Sequence, residues 1–106
     1  MDSRITEVQV MKNKRLRGQV LRTLVLFYPS PVDVGTLKSA LITRGISASA
    51  ETASVLSYLA DENRKYIRIK TKGENMNEIQ DSDLVELTAD GIDLIEGTQS
   101  DAGVDM

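Results

Sequence analysis

The apolar residues of this chain keep two different periods, and the change between them falls at Asn63. Before it they recur at three- and four-residue spacings, as on helices with one buried face. After it they alternate, as on strands. Leu16, Val20, Leu24 and Phe27 form the first helical stripe. Pro29 and Pro31 stop that helix, because proline cannot continue it and pushes the preceding residue extended. Leu21, Val25 and Leu26 lie off the stripe, so the helix is apolar nearly all round after Arg17. A helix of this kind is central in its domain or covered by a partner. Residues 1–11, with Ile5, Val8 and Val10 in no clear period, read as a flexible N-terminal arm.

Val32 adds a short extended segment, and Asp33 is a good N-cap for a second helix carrying Leu37, Ala40 and Leu41. Gly45 suits the position just past its end. A third helix follows at once, capped by Ser47 or Ser49, with Ala53, Leu56, Leu59 and Ala60 on its buried side. Two helices joined by a short turn containing glycine form the helix-turn-helix pattern.

Beyond Asn63, Ile67, Ile69 and Thr71 face one way while Arg68, Lys70 and Lys72 face the other. A polar, acidic, turn-rich stretch from Gly73 to Asp83 leads to a returning strand, Leu84-Val85-Glu86-Leu87. The two strands form a β-hairpin. Thr88 caps a last short helix with Ile92 and Ile95, and Gly97 ends it. Residues 98–106 read as a disordered acidic tail. The fold expected is α+β, one domain over residues 12–97, with a three-helix core, a hairpin and a short C-terminal helix.

Composition narrows the chemistry. The 106 residues include no Cys and no His, which removes disulfides, thiolate metal sites, cysteine nucleophiles and the commonest general base. Asp81, Asp83 and Glu86 lie close in sequence, but Val85 and Glu86 stand where a calcium loop needs an oxygen ligand and glycine, so a solvated acidic loop is expected. No Gly-rich loop sits between a strand and a helix to hold phosphate. No catalytic residue, metal, cofactor or small-molecule substrate is expected. The opening Met1-Asp2-Ser3-Arg4 lacks a signal peptide's apolar stretch, and the run Leu24 to Tyr28 is too short for a bilayer, so a cytoplasmic protein with no membrane partner is expected.

Charge is unevenly spread. Thirteen basic and six acidic residues stand up to Lys72, and ten acidic and no basic residues follow, for a net charge of −3. This fits a polyanion-binding body with an acidic tail, and equally an acidic tail that keeps a small protein in solution.

The segment Leu87-Thr88-Ala89-Asp90-Gly91-Ile92-Asp93-Leu94 resembles the leucine-threonine-x-x-glycine stretch that closes the wing in many bacterial regulators. With the order of elements, it makes residues 12–97 similar to the winged helix-turn-helix superfamily. Within it the pattern is most similar to small winged-helix proteins of Mu-like prophages. Those share an Arg-rich opening of helix one, a Leu-x-x-Leu third helix and a short Gly-containing tail. The resemblance implies double-stranded DNA as partner and the third helix as reader, with Ser47, Ser54, Ser57 and Tyr58 as its contacts.

That helix carries the wrong charges for the role. With Leu56 and Leu59 inward, Ala50, Glu51, Ser54, Ser57, Tyr58 and Asp61 point outward, and no Lys or Arg lies between Gly45 and Asn63. Phosphate contact dominates DNA affinity, so the backbone must be held from the flanks. Lys12, Lys14, Arg15, Arg17 and Arg22 lie on or before the first helix, and Arg64, Lys65, Arg68, Lys70 and Lys72 on or before the first hairpin strand. The competing reading is a protein-interaction module, with a homodimer through helix one and Tyr58 as a contact point.

Overall fold

The computed structural model describes residues 3–46, 51–70 and 78–106. Among them lie four helices and three strands: α1 (Ser3–Leu24), β1 (Val32–Asp33), α2 (Val34–Thr43), α3 (Glu51–Ala60), β2 (Ile67–Lys70), β3 (Leu84–Leu87) and α4 (Ala89–Glu96). The fold is α+β, an arrangement compatible with a winged helix. The sheet is antiparallel with order β1-β3-β2.

Helix α1 is the centre of the molecule, since α2, α3, α4 and β3 all pack on it. Val20, Leu21 and Leu24 are buried there, against Leu37 and Leu41 of α2, Leu56 and Leu59 of α3, Val85 of β3 and Leu94 of α4 in one cluster. Full burial of each such side chain stabilises by roughly 1.5–3 kcal/mol. Regular helix ends at Leu24, before the prolines. Leu26 and Phe27 then donate to carbonyls three residues back, a tighter turn that leaves Leu26 exposed.

Four of the expected helix ends are closed as read, while Ser47 and Ser49, the expected caps of α3, lie outside the described residues. Asp33 accepts from the Thr36 N–H at 2.9 Å, and Gly45 takes a left-handed φ of 77° just past α2. Thr88 accepts from the Gly91 N–H at 3.2 Å, and Gly97 closes α4 at φ 84°. The motif around them also meets the core. Leu87 is buried, and Gly91 lies so close to the Tyr66 carbonyl oxygen that a Cβ would collide with it. Glycine therefore lets α4 sit against the start of β2.

In β2, Ile67 is buried and Ile69 half-buried while Arg68 and Lys70 are exposed, as the alternation requires. The register sets Ile67 opposite Leu87 and Arg68 opposite Glu86. Within the described end of the acidic stretch, residues 78–83, one carboxylate is less solvated than expected. Asp83 is buried and its carboxylate accepts from the Gln80 N–H at 2.8 Å. The carbonyls of Asp81 and Asp83 accept from the N–H groups of Gly35 and Val34, and Asp81 pairs with Lys38 at 2.8 Å. These oxygens satisfy the open N–H groups at the start of α2.

Two expected boundaries are corrected. The segment read as a flexible arm over residues 1–11 is helical from Ser3. No proline or glycine lies between Ser3 and Arg17, so helix propagates outward from the packed half. Gln9 also bonds Asn13 one turn on, at 2.9 Å. The tail over 98–106, expected to be disordered, instead folds back across α1. Gly97 reverses the chain, Val104 is buried, and the Asp105 N–H donates to the Lys14 carbonyl at 3.0 Å.

Replacing Gly91 by Ala is expected to cost about 1–3 kcal/mol, because the obstacle is backbone rather than a movable side chain. Urea unfolding of the two proteins measures it. An unchanged midpoint would show that α4 does not sit so close to Tyr66.

Candidate nucleic-acid interface

The residues read as DNA contacts fall into separate groups. On α3, Ser54 and Ser57 are exposed, as the helical wheel requires. Tyr58 is not the free outward residue expected. It is half-buried, with the Arg17 guanidinium carbon 3.5 Å and the Arg64 guanidinium carbon 3.9 Å from its ring centroid. Two guanidinium groups that close to one centroid cannot share a face, so the ring is sandwiched. Each contact adds a cation–π attraction of about 0.5–2 kcal/mol.

The returning C-terminal segment completes this stack. Arg17 Nη1 donates to the Gly103 carbonyl at 3.0 Å, and Arg64 Nε to Asp101 Oδ2 at 3.1 Å. The Tyr66 hydroxyl donates to the same Asp101 oxygen at 2.7 Å, and the Gly103 N–H to the other at 2.7 Å. Arg22 reaches the Met106 carbonyl. Two glycines make room for the segment. A Cβ on Gly18 would strike the Asp105 carbonyl, and one on Gly103 the Tyr58 hydroxyl. Arg17, Arg22 and Arg64 are therefore held by the chain's own oxygens and do not form the open phosphate-binding row that their sequence positions suggested.

Burial, the hydrogen bond to Asp101 and the charge of Asp101 push the Tyr66 phenol up to about 12. For Asp101 itself burial works upward. The hydrogen bonds from Tyr66 and Gly103 and the Arg64 charge outweigh it and hold the carboxyl below its ordinary value.

A second group lies on the hairpin. Lys65 is exposed in a left-handed conformation with φ 55°, an unusual state for a residue with a side chain. Arg68 and Lys70 share one acceptor, Glu86 Oε1, at 2.9 and 3.6 Å. Exposed pairs of this kind are worth about 0–1 kcal/mol, and two cations on one carboxylate leave a positive excess. Lys65 and Arg68 border a shallow cavity of about 300 Å³ with Ala60, at the end of α3, and Thr88. Of the remaining cations, Lys12 and Arg15 are exposed on α1 and Lys14 is half-buried. Ser47 and Lys72 lie outside the described residues.

The sequence reading missed Gly18, Tyr66, Asp101 and Gly103. Gly18 was the available signal, since a glycine within a helical pattern marks a close approach. Val104 and Met106, apolar side chains in a polar segment, were a weaker one. No group of three or more acidic residues among those described is placed to hold a metal ion. No helix among them is long and apolar enough to cross a membrane. No protein-family model, curated protein or solved structure matches the chain.

The tail's attachment is expected to depend on pH. Because the Asp101 value is lowered on folding, its contribution is complete above the ordinary carboxyl range, near pH ~4, and is lost as pH falls through the lower folded value. The Tyr66 value is raised, so its contribution holds below about 10 and is lost as pH climbs towards about 12. Asp101 is faced by Arg64, Tyr66 and the Gly103 N–H, and Arg17 lies across the Tyr58 ring. In an acid titration followed by methyl NMR, Val104 should shift before Leu56, with Asp101→Asn giving the shifted state at neutral pH. Simultaneous change of both residues would refute separate attachment.

Proposed function

We propose that the chain is a small winged-helix protein that binds double-stranded DNA as a regulatory factor. The observation that carries this reading is the cationic strand face of Arg68 and Lys70, with Arg68 bordering one cavity with Ala60 at the end of α3, and the exposure of Ser54 and Ser57 on that helix. In this reading β2 and β3 are the wing and α3 is the reader. Serine hydroxyls bond phosphates or base edges but carry little discrimination by themselves. The hairpin cations supply the electrostatic share of affinity. Exchanging Glu86 for a phosphate costs them little, because the exposed pairs are weak.

A second reading is favoured by one specific feature. Val8, Val10 and Met11 are all exposed on the first turns of α1, where the helix has left the core. An apolar surface on a projecting helix suits self-association or a protein partner.

A mixed-sequence duplex titrated at several salt concentrations tests both. DNA binding predicts affinity that falls steeply with salt, and a slope of log K against log salt reduced by about 2 when Arg68 and Lys70 both become Ala. A stable dimer by light scattering, with no duplex shift even at low salt, would replace the first reading with the second. Selection of bound fragments from the source genome then separates sequence-specific from non-specific binding.

A further inference from the structure

We propose that the C-terminal segment covers part of the DNA-binding surface in cis, and that the Arg17–Tyr58–Arg64 stack beneath it is a phosphate-binding site for the duplex backbone. This rests on the DNA-binding reading above and deepens it.

The chemistry of the cover matches that of the ligand. Guanidinium groups of Arg17 and Arg64 are satisfied by a carbonyl and a carboxylate oxygen, acceptors that phosphate oxygens replace with equal or stronger hydrogen bonds. Its position also fits. Tyr58 stands one helical turn beyond Ser54 and next to Ser57, so the stack borders the exposed polar face of α3. That face has no cation of its own. With the segment down, Arg17 is occupied by a carbonyl and Arg64 is paired with a carboxylate; with it lifted, both guanidinium groups open onto the face.

The segment is also built to separate from the body. Residues 97–100 are exposed, and Gly97 holds the left-handed turn from which the segment departs. Beyond it the apolar tie is Val104, which is buried, with Met106 partly buried against the core. Gly18 has a cost without the segment, since glycine inside a helix loses up to ~1 kcal/mol relative to alanine. Its absent side chain is the seat of Asp105. Gly18 therefore serves the contact with the segment, and a side chain there would act on that contact.

Three full-length variants test the cover. Gly18→Ala adds a methyl under Asp105 without changing charge and favours α1. Asp101→Asn removes the partner of Arg64. Asp105→Asn removes the same charge from an exposed side chain whose backbone alone is used. Binding is read by anisotropy of a labelled mixed-sequence 20-base-pair duplex across 50–200 mM salt, with circular dichroism confirming folding. Gly18→Ala and Asp101→Asn should bind about tenfold tighter than the parent, with a salt slope steeper by about 2, and Asp105→Asn should gain far less. Adding Arg17→Ala and Arg64→Ala to Gly18→Ala should abolish the gain. If the parent binds and no variant gains, the cover is overturned while DNA binding stands. Equal gains from Asp101→Asn and Asp105→Asn, or a gain that survives loss of both arginines, would reduce the effect to bulk charge and overturn the site. Absence of binding in the parent and in every folded variant overturns the DNA reading itself, and the cover with it.

Discussion

The burial of Val20, Leu21 and Leu24 on one stretch of α1 is the constraint on which the other elements depend. Neither the short helices nor the two-residue strand β1 buries enough surface to persist alone. Each finds its apolar partners on α1 or on an element already seated there. Replacing any of these leucines by Ala would remove about 2–5 kcal/mol, a large share of the 5–15 kcal/mol that keeps an ordinary domain folded. The apolar character of α1 is thus explained for its second half by centrality. Its first turns, with Val8 and Met11 exposed, keep the alternative of a partner open to experiment.

The elements legible in the sequence were those whose signals are local. Asp33, Gly45, Thr88 and Gly97 each satisfy or close a helix end through groups three or four residues away. A one-dimensional pattern holds that information. The alternation of Ile67 and Ile69 with Arg68 and Lys70 is equally local. What failed depended on long-range contact. A nine-residue polar segment with one valine looks disordered until Gly18, more than eighty residues earlier, supplies a groove for it. Tyr58 looked free for the same reason, because its helical angle faces away from Leu56 and Leu59 but towards Arg17 and the returning chain.

Charge behaves in the same way. The contrast between the basic first two-thirds and acidic final third suggested a body and a separate tail. In the fold the two halves meet instead. Asp81 lies on Lys38, Glu86 on Arg68 and Lys70, and Asp101 on Arg64. Three carboxylates of the acidic third thus serve as internal counterions of the basic part.

These pairs are not equivalent, and the difference governs what a polyanion can displace. Glu86 sits opposite Arg68 in the strand register, with Arg68 itself 64% exposed. Water already screens that attraction, so an arriving phosphate competes on nearly equal terms. Asp101 is 15% exposed, shares its oxygens with Tyr66 and Gly103, and faces an Arg64 that is 28% exposed. Breaking that pair strands a partly dry carboxylate unless the whole segment moves with it. The hairpin cations can therefore exchange their one shared counterion without any movement of the chain. The arginines around Tyr58 are tied to each other's fate, because the carbonyl that holds Arg17 and the carboxylate that holds Arg64 belong to one continuous piece of chain.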